Sequence, residues 1–182
     1  MYLLKRLCVV FLSVLWMTHS SYAKTTLTSA KSDQAVETAV LKHINEYRIH
    51  HGLSLLKMDN YLVREARAHS QDMAKHRVPF GHTGFMTRMK QAHLKIKDSG
   101  AGAENVAFNY KDAQTVVQQW LTSPGHKRNI DGHFNLTGIG IARDTKGRIY
   151  YTQIFLRTDK HPVKTYPRHH SHLFGISFGR HS

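Results

Sequence analysis

Trp120-Leu121-Thr122-Ser123-Pro124-Gly125-His126-Lys127-Arg128-Asn129-Ile130, read with Gly102-Ala103-Glu104-Asn105-Val106-Ala107 upstream, is the stretch on which the reading of this chain turns. Trp120 closes an amphipathic run in which Val116, Val117, Trp120 and Leu121 share an inner face and Asp112 stands ready as the cap. Ser123-Pro124-Gly125 breaks that run and delivers His126 from the break, where a side chain faces a cleft instead of a core. The segment Glu104 to Phe108 reads as extended chain leading into the helix.

Upstream, the pattern is helical. Val36, Val40, Ile44 and Tyr47 recur at helical spacing, with Ser32 or Asp33 as the expected cap and Gly52 as the stop. After the short apolar segment Leu53 to Met58, Asp59 caps a second helix with Leu62, Ala66, His69 and Met73 on one face. A histidine on such a stripe reads first as a core residue bonded to backbone. Pro79 to Gly84 breaks the pattern, and Phe85 to His93 predicts a shorter helix with Met86 and Met89 as core filler. Lys95 to Gly102 reads as a loop.

Downstream, the period changes to that of strands. Thr137 to Arg143 and Arg148 to Leu156 form the arms of a hairpin about Asp144-Thr145-Lys146-Gly147, and Gly138 and Gly140 predict a helix packed close on the first arm. Helices first and a hairpin last, around a small mixed sheet, argue an α+β layered fold.

The ends and the composition set the context. Lys5 and Arg6, the apolar run Leu7 to Met17 and the small residues of Ser21-Tyr22-Ala23 read as a secretory signal peptide over 1–23, too short for a permanent anchor. A polar lead over 24–34, a folded domain over 35–157 and a basic, His-rich flexible tail over 158–182 follow. The one cysteine, Cys8, lies in the leader, so the exported form is thiol-free and depends on a packed core. Of 182 residues, 159 remain after the leader, enough for one core. The chain has 26 basic and 12 acidic residues; loss of Lys5 and Arg6 leaves 24 against 12, a net +12 that draws the protein to anionic lipid or cell-wall polymers. The expected location is secreted or periplasmic.

Seven motifs in order carry a resemblance: Leu41-x-x-Ile44-Asn45-x-x-Arg48, Gly52-Leu53, Ala66-x-x-His69-Ser70-x-Asp72-Met73-Ala74, Gly81-His82, Gly102 to Ala107, Trp120-x-x-Ser123-Pro124-Gly125-His126-x-x-Asn129-Ile130 and Tyr151 to Phe155. The chain resembles the bacterial branch of the CAP superfamily, the SCP-like extracellular proteins, from roughly Ala35 to Leu156. The resemblance implies a three-layer α-β-α sandwich with a cleft lined by two histidines and two acids, which in some relatives holds a divalent metal. His82, Glu104 and His126 match three of the four. The fourth position, a glutamate three residues after the tryptophan in relatives with the full set, is Ser123 here.

The residues themselves allow two chemistries. His82, Glu104 and His126 from separate segments suit Zn²⁺ or another divalent ion with an open position, completed by water or His133, or by Asp131 in the vacant place. Equally, they suit a polar cleft without metal in which the carboxylate orients a histidine, with Asn105 and Gln153 as polar neighbours. Ser123 beside His126 in sequence is not thereby a nucleophile. Gly175 to Gly179 fits the hydrolase elbow pattern but lacks the following helix, acid and histidine. The sequon at Asn135 has meaning only in a eukaryotic route. In the tail, His169, His170 and His172 suit metal chelation or pH-dependent attraction to anionic surfaces. The sequence thus points to an exported ligand-binding or interaction module at the bacterial envelope or outside the cell, with a lipid, cell-wall polymer or protein partner. The alternative is a metal-assisted hydrolase of peptide or cell-wall bonds. Sequence-specific nucleic-acid binding lacks a reading motif and conflicts with the leader.

Overall fold

The computed structural model describes residues 32–159, and the segments read from the sequence as a leader, most of a polar lead and a tail from residue 160 onward lie outside them. Helix α1 spans 32–50; β1 (Lys57–Met58), α2 (Asn60–Ala74), α3 (Phe85–Lys95), β2 (Ser99–Phe108), α4 (Ala113–Thr122), α5 (Pro124–Asp131), β3 (Leu136–Arg143) and β4 (Ile149–Thr158) follow. The sheet has the order β1-β3-β4-β2, with β1 parallel to β3 and the other pairs antiparallel. Period-two alternation sends successive strand residues to opposite faces, and both faces are covered. Helices α1, α4 and α5 bury Val40, Ile44, Val116, Trp120 and Ile130 against Ile139, Tyr151 and Phe155. On the other face, α2 and α3 bury Leu62, Ala66, Met89 and Ala92 against Ile154 and Leu156. This is the three-layer α-β-α sandwich; each large apolar side chain so enclosed contributes about 1.5–3 kcal/mol.

The close approach of α2 to β3 depends on two missing side chains. A Cβ at Gly138 would lie 2.1 Å from the carbonyl carbon of Leu62, and one at Gly140 2.1 Å from the amide nitrogen of Arg67. With the helix seated this deeply, Ser70 Oγ donates to the Gly140 carbonyl at 2.9 Å and lies 2.8 Å from Thr152 Oγ1. On the opposite face, Arg48 is 1 % exposed and donates to the carbonyls of Ser54, Ile130, Gly132 and Phe134. It therefore fixes the link from α5 to β3, and burial lowers its pKa to about 10.

Several boundaries differ from the sequence reading. Asp59 and Asp112 cap α2 and α4 as expected, through Tyr61 N and Leu62 N and through Thr115 N. Ser32 and Asp33 are already helical, and Asp33 pairs with Arg143 instead of capping. The segment Lys95 to Gly102 is only in part a loop: β2 begins at Ser99, because a glycine at 102 lets the strand pass Met89, whose sulfur would sit 2.3 Å from a Cβ there. Met89 is core, whereas Met86 is 76 % exposed and fills nothing. Thr158, read as the first tail residue, closes β4, its amide and carbonyl paired with the Asn135 side chain at 2.9 and 2.8 Å. That buried pairing also occupies the only nitrogen at which the sequon would carry a glycan.

Candidate functional site

Strand β2 is the sheet's outer strand next to β4, and its alternation sends Glu104 to the α2–α3 side and Asn105 to the α4–α5 side. Between those two sides opens a cleft of about 650 Å³, lined by Phe80, His82, Phe108, Tyr110, Trp120, Ser123 and His126 among others. None of its lining residues is an Asp or Glu.

Glu104 lies behind the wall, its side chain 1 % exposed. Arg88 reaches it from α3: Nε donates to Oε2 at 2.9 Å, and Nη2 lies 2.7 Å from Oε2 and 2.8 Å from Oε1. Nη1 of the same guanidinium donates to the Thr83 carbonyl at 2.8 Å, so Arg88 also holds the loop before α3. His82 Nδ1 sits 3.0 Å from Glu104 Oε1. A carboxylate accepts, so Nδ1 carries a proton, and Nε2 is the ring nitrogen left to the cleft, on a side chain that is 52 % exposed. His69 on α2 donates from Nε2 to the Gly81 carbonyl at 2.8 Å and lies 4.0 Å from Glu104. The apolar-stripe histidine is thus a core residue bonded to backbone, and it sets the turn that presents His82. Burial is the main cause lowering its pKa, with the Arg88 charge in the same direction.

Across the cleft, the break after α4 is a single residue. Ser123 is extended, Pro124 takes the first position of α5, where its missing N–H costs nothing, and His126 comes from that helix's first turn and not from a loop. Asn105 is fully buried and donates from Nδ2 to the His126 carbonyl at 3.2 Å, while its Oδ1 accepts from Asn129 at 2.8 Å. It is a strut beneath α5. Gln153 lies opposite Asn105 in the β2–β4 register, buried and bonded to Thr137 Oγ1 at 3.2 Å, and it does not line the cleft. Trp120 packs its ring 6.4 Å from that of His126 and donates to the Val106 carbonyl at 3.3 Å. Burial, and after it the nearby His82, lowers the His126 pKa.

The two imidazoles therefore face one space and Glu104 reaches it only through His82. Among the described residues, no group of three or more His, Cys, Asp or Glu side chains is arranged to hold a metal ion. Glu104 has both oxygens on a guanidinium, and Ser123 supplies no acid, so the three side chains as placed do not fit a ligand set. His133 and Asp131 do not line the cleft; Asp131 accepts from Tyr47 at 2.9 Å and from Lys127.

Arg88 is the residue that the sequence reading passed over. Its signal was spacing: Phe85, Arg88, Met89 and Ala92 fall at i, i+3, i+4 and i+7, which puts a cation on the inward stripe of α3 and requires an acid to meet it.

The family model of the cysteine-rich secretory proteins, CAP, matches residues 41–155. The chain belongs to this family. Its CAP domain is 35% identical over 137 residues to the uncharacterized protein YkwD of Bacillus subtilis (strain 168), covering 72% of this chain and 51% of that protein. It is 31% identical over 127 residues to the uncharacterized membrane protein YlbC of the same strain, covering 66% of this chain and 34% of that protein. The chain thus spans between a third and about half of the length of these curated relatives. Among solved structures, an extracellular protein containing a SCP domain from Bacillus anthracis str. Ames matches with a TM-score of 0.58 at 26% identity, over 69% of this chain and 41% of that one. The CAP domain shares the layered architecture of that extracellular neighbour. No helix among the described residues is long and apolar enough to cross a membrane.

Proposed function

We propose that this CAP domain is an exported binding module at the bacterial envelope or outside the cell, and that its cleft captures a ligand without transforming it. The observation that carries this reading is the Arg88–Glu104 pair. It neutralises the one acid behind the cleft and leaves two imidazoles with aromatic walls. Such a surface takes a neutral or anionic ligand that presents hydrogen-bonding groups to His82 and His126 and a flat apolar face to Phe80, Phe108, Tyr110 and Trp120. The extracellular SCP protein among its structural neighbours supports the location.

The test is capture from three pools, envelope lipid, peptidoglycan fragments and envelope proteins, by the unaltered chain and by Ser123→Trp, which puts a large side chain at a residue lining the cleft. Retention of a ligand by the first and its loss in the second is the expected result. Capture unchanged by Ser123→Trp, or none from all three pools, overturns it. Hydrolysis of peptide or cell-wall bonds that a chelator removes and metal restores would replace it with the metal-assisted hydrolase.

A further inference from the structure

The cleft is free of fixed charge in a chain that is rich in it. Against 12 acids the sequence has 26 lysines and arginines, yet none of the described residues lining the cleft is Lys, Arg, Asp or Glu. Cations beside it in sequence or in space are held by acids. Lys111 and Lys127, next in sequence to Tyr110 and His126, pair with Asp112 and Asp131. Arg148 places its guanidinium 5.2 Å from the centre of the Phe108 ring and donates to Asp144 at 2.7 Å. Arg88 is held by Glu104 behind the wall. An anion entering this space would give up its water and meet no countercharge.

What the cleft offers instead is a set of uncharged polar groups. The hydroxyls of Thr122 and Ser123, the amide of Gln119 and the imidazole of His126 line it together, and burial keeps that imidazole's pKa low. A ligand hydroxyl suits every one of these, because it donates or accepts as its partner requires. Beside them stands Phe80, 54 % exposed, its ring 6.1 Å from that of Phe108 and tilted by 55° to it. An acyl chain would cover this phenyl and strip water from the amide and hydroxyls without replacing their bonds. A sugar ring answers both, with a C–H face for the phenyl and a rim of hydroxyls for the polar groups.

We infer that the ligand of the cleft is an uncharged glycan, one sugar of which stacks on Phe80 while its hydroxyls bond to Gln119, Thr122, Ser123 and His126. The inference rests on the reading of this domain as a binding module and narrows its ligand to a neutral one.

The experiment is calorimetric titration of the full chain, recovered from an exporting host, with N-acetylchitotetraose, with cellotetraose and with heparin as the anionic glycan. Binding of at least one tetramer is expected, at an affinity that does not change as salt is raised, since no charge pair is there to be screened. Phe80→Ala should lower that affinity roughly tenfold, with the thermal midpoint nearly unchanged because the ring is more than half exposed, and Phe80→Trp should keep or strengthen it. Heparin, drawn to the basic surface, should bind in a way that salt weakens, that Phe80→Ala leaves alone and that does not displace the tetramer. Binding of neither tetramer overturns the inference; if a ligand is still captured from the envelope pools and lost in Ser123→Trp, the binding-module reading survives that failure. Tetramer binding that Phe80→Ala leaves intact, or heparin that displaces the tetramer at high salt, overturns the inference as well.

Discussion

Arg88 on α3 and Glu104 on β2 hold each other through both carboxylate oxygens, with side chains 11 % and 1 % exposed. Removing one partner strands the other. A buried, uncompensated carboxylate costs about 3–5 kcal/mol, so Arg88→Gln is expected to lower stability by that order, measured by urea unfolding. The double substitution Arg88→Met with Glu104→Leu should recover most of the loss, because it removes the stranded charge and leaves apolar groups of similar volume.

Metal titration tests the same pair. Calorimetric titration of Zn²⁺ should give the same binding for the unaltered chain, His82→Ala and His126→Ala, since any contribution from 160–182 is common to all three. Arg88→Gln, with Glu104 released toward His82, is expected to show uptake that a further His82→Ala abolishes. Zinc binding in the unaltered chain that either alanine variant removes would show that the guanidinium yields to metal.

The first four helices and the β3–β4 hairpin were legible because they follow from local rules, whereas α5 was read as a break and the start of β2 as a loop. Asp59 and Asp112 announce helices, the Asp144 to Gly147 turn announces the hairpin, and Gly138 and Gly140 announce a helix lying against β3. His82, Glu104 and His126 were legible as a group through motif order, yet their chemistry was not. It depends on Arg88, sixteen residues before its partner and on another layer. Asn105 and Gln153 carry similar amides in similar apolar surroundings; only the register with α5 makes the first a strut under His126 and the second a core contact. Met86 and Met89 are three apart on one helix, and which of them faces the core is fixed by the whole stripe and not by residue type.

Glycine at 138 tests the packing of α2. Gly138→Ala puts a methyl within 2.1 Å of the Leu62 backbone, which has no rotamer by which to give way. The helix must lift from β3, at a cost of about 1–3 kcal/mol or more in a core packed this closely. Gly125→Ala is the matched control: nothing lies within 4 Å of its Cβ and it sits in the first turn of α5, so stability should hold or rise slightly. Equal losses in the two would exclude close packing as the reason for glycine at 138.

Arg48 tests the link between α5 and β3. Arg48→Met keeps most of the stem and removes every donor, leaving the carbonyls of Ser54, Ile130, Gly132 and Phe134 without it. Unmade bonds to buried groups cost about 1–3 kcal/mol each, and relaxation or water recovers part, so a total loss near 3–5 kcal/mol is expected in urea unfolding. Lysine at 48 has one point of charge and no planar fork, so it should recover less than half.

Protonation of His69 and His126 sets the acid side of stability. Both have folded-state pKa values below 6.5, chiefly through burial. The unfolded chain therefore binds their protons more tightly. Stability from these groups is complete above pH 6.5 and falls as pH drops from there through their lowered folded values, by at most about 1.4 kcal/mol per pH unit for each group. Urea midpoints should accordingly decline between pH 7.5 and 5, before most carboxylates titrate. His126→Phe should flatten the decline by one proton's share, while His69→Phe should flatten it and also lower the midpoint at pH 7.5, because the Gly81 carbonyl loses its donor. A midpoint independent of pH across that window would mean that neither imidazole is as enclosed as its place in the fold implies.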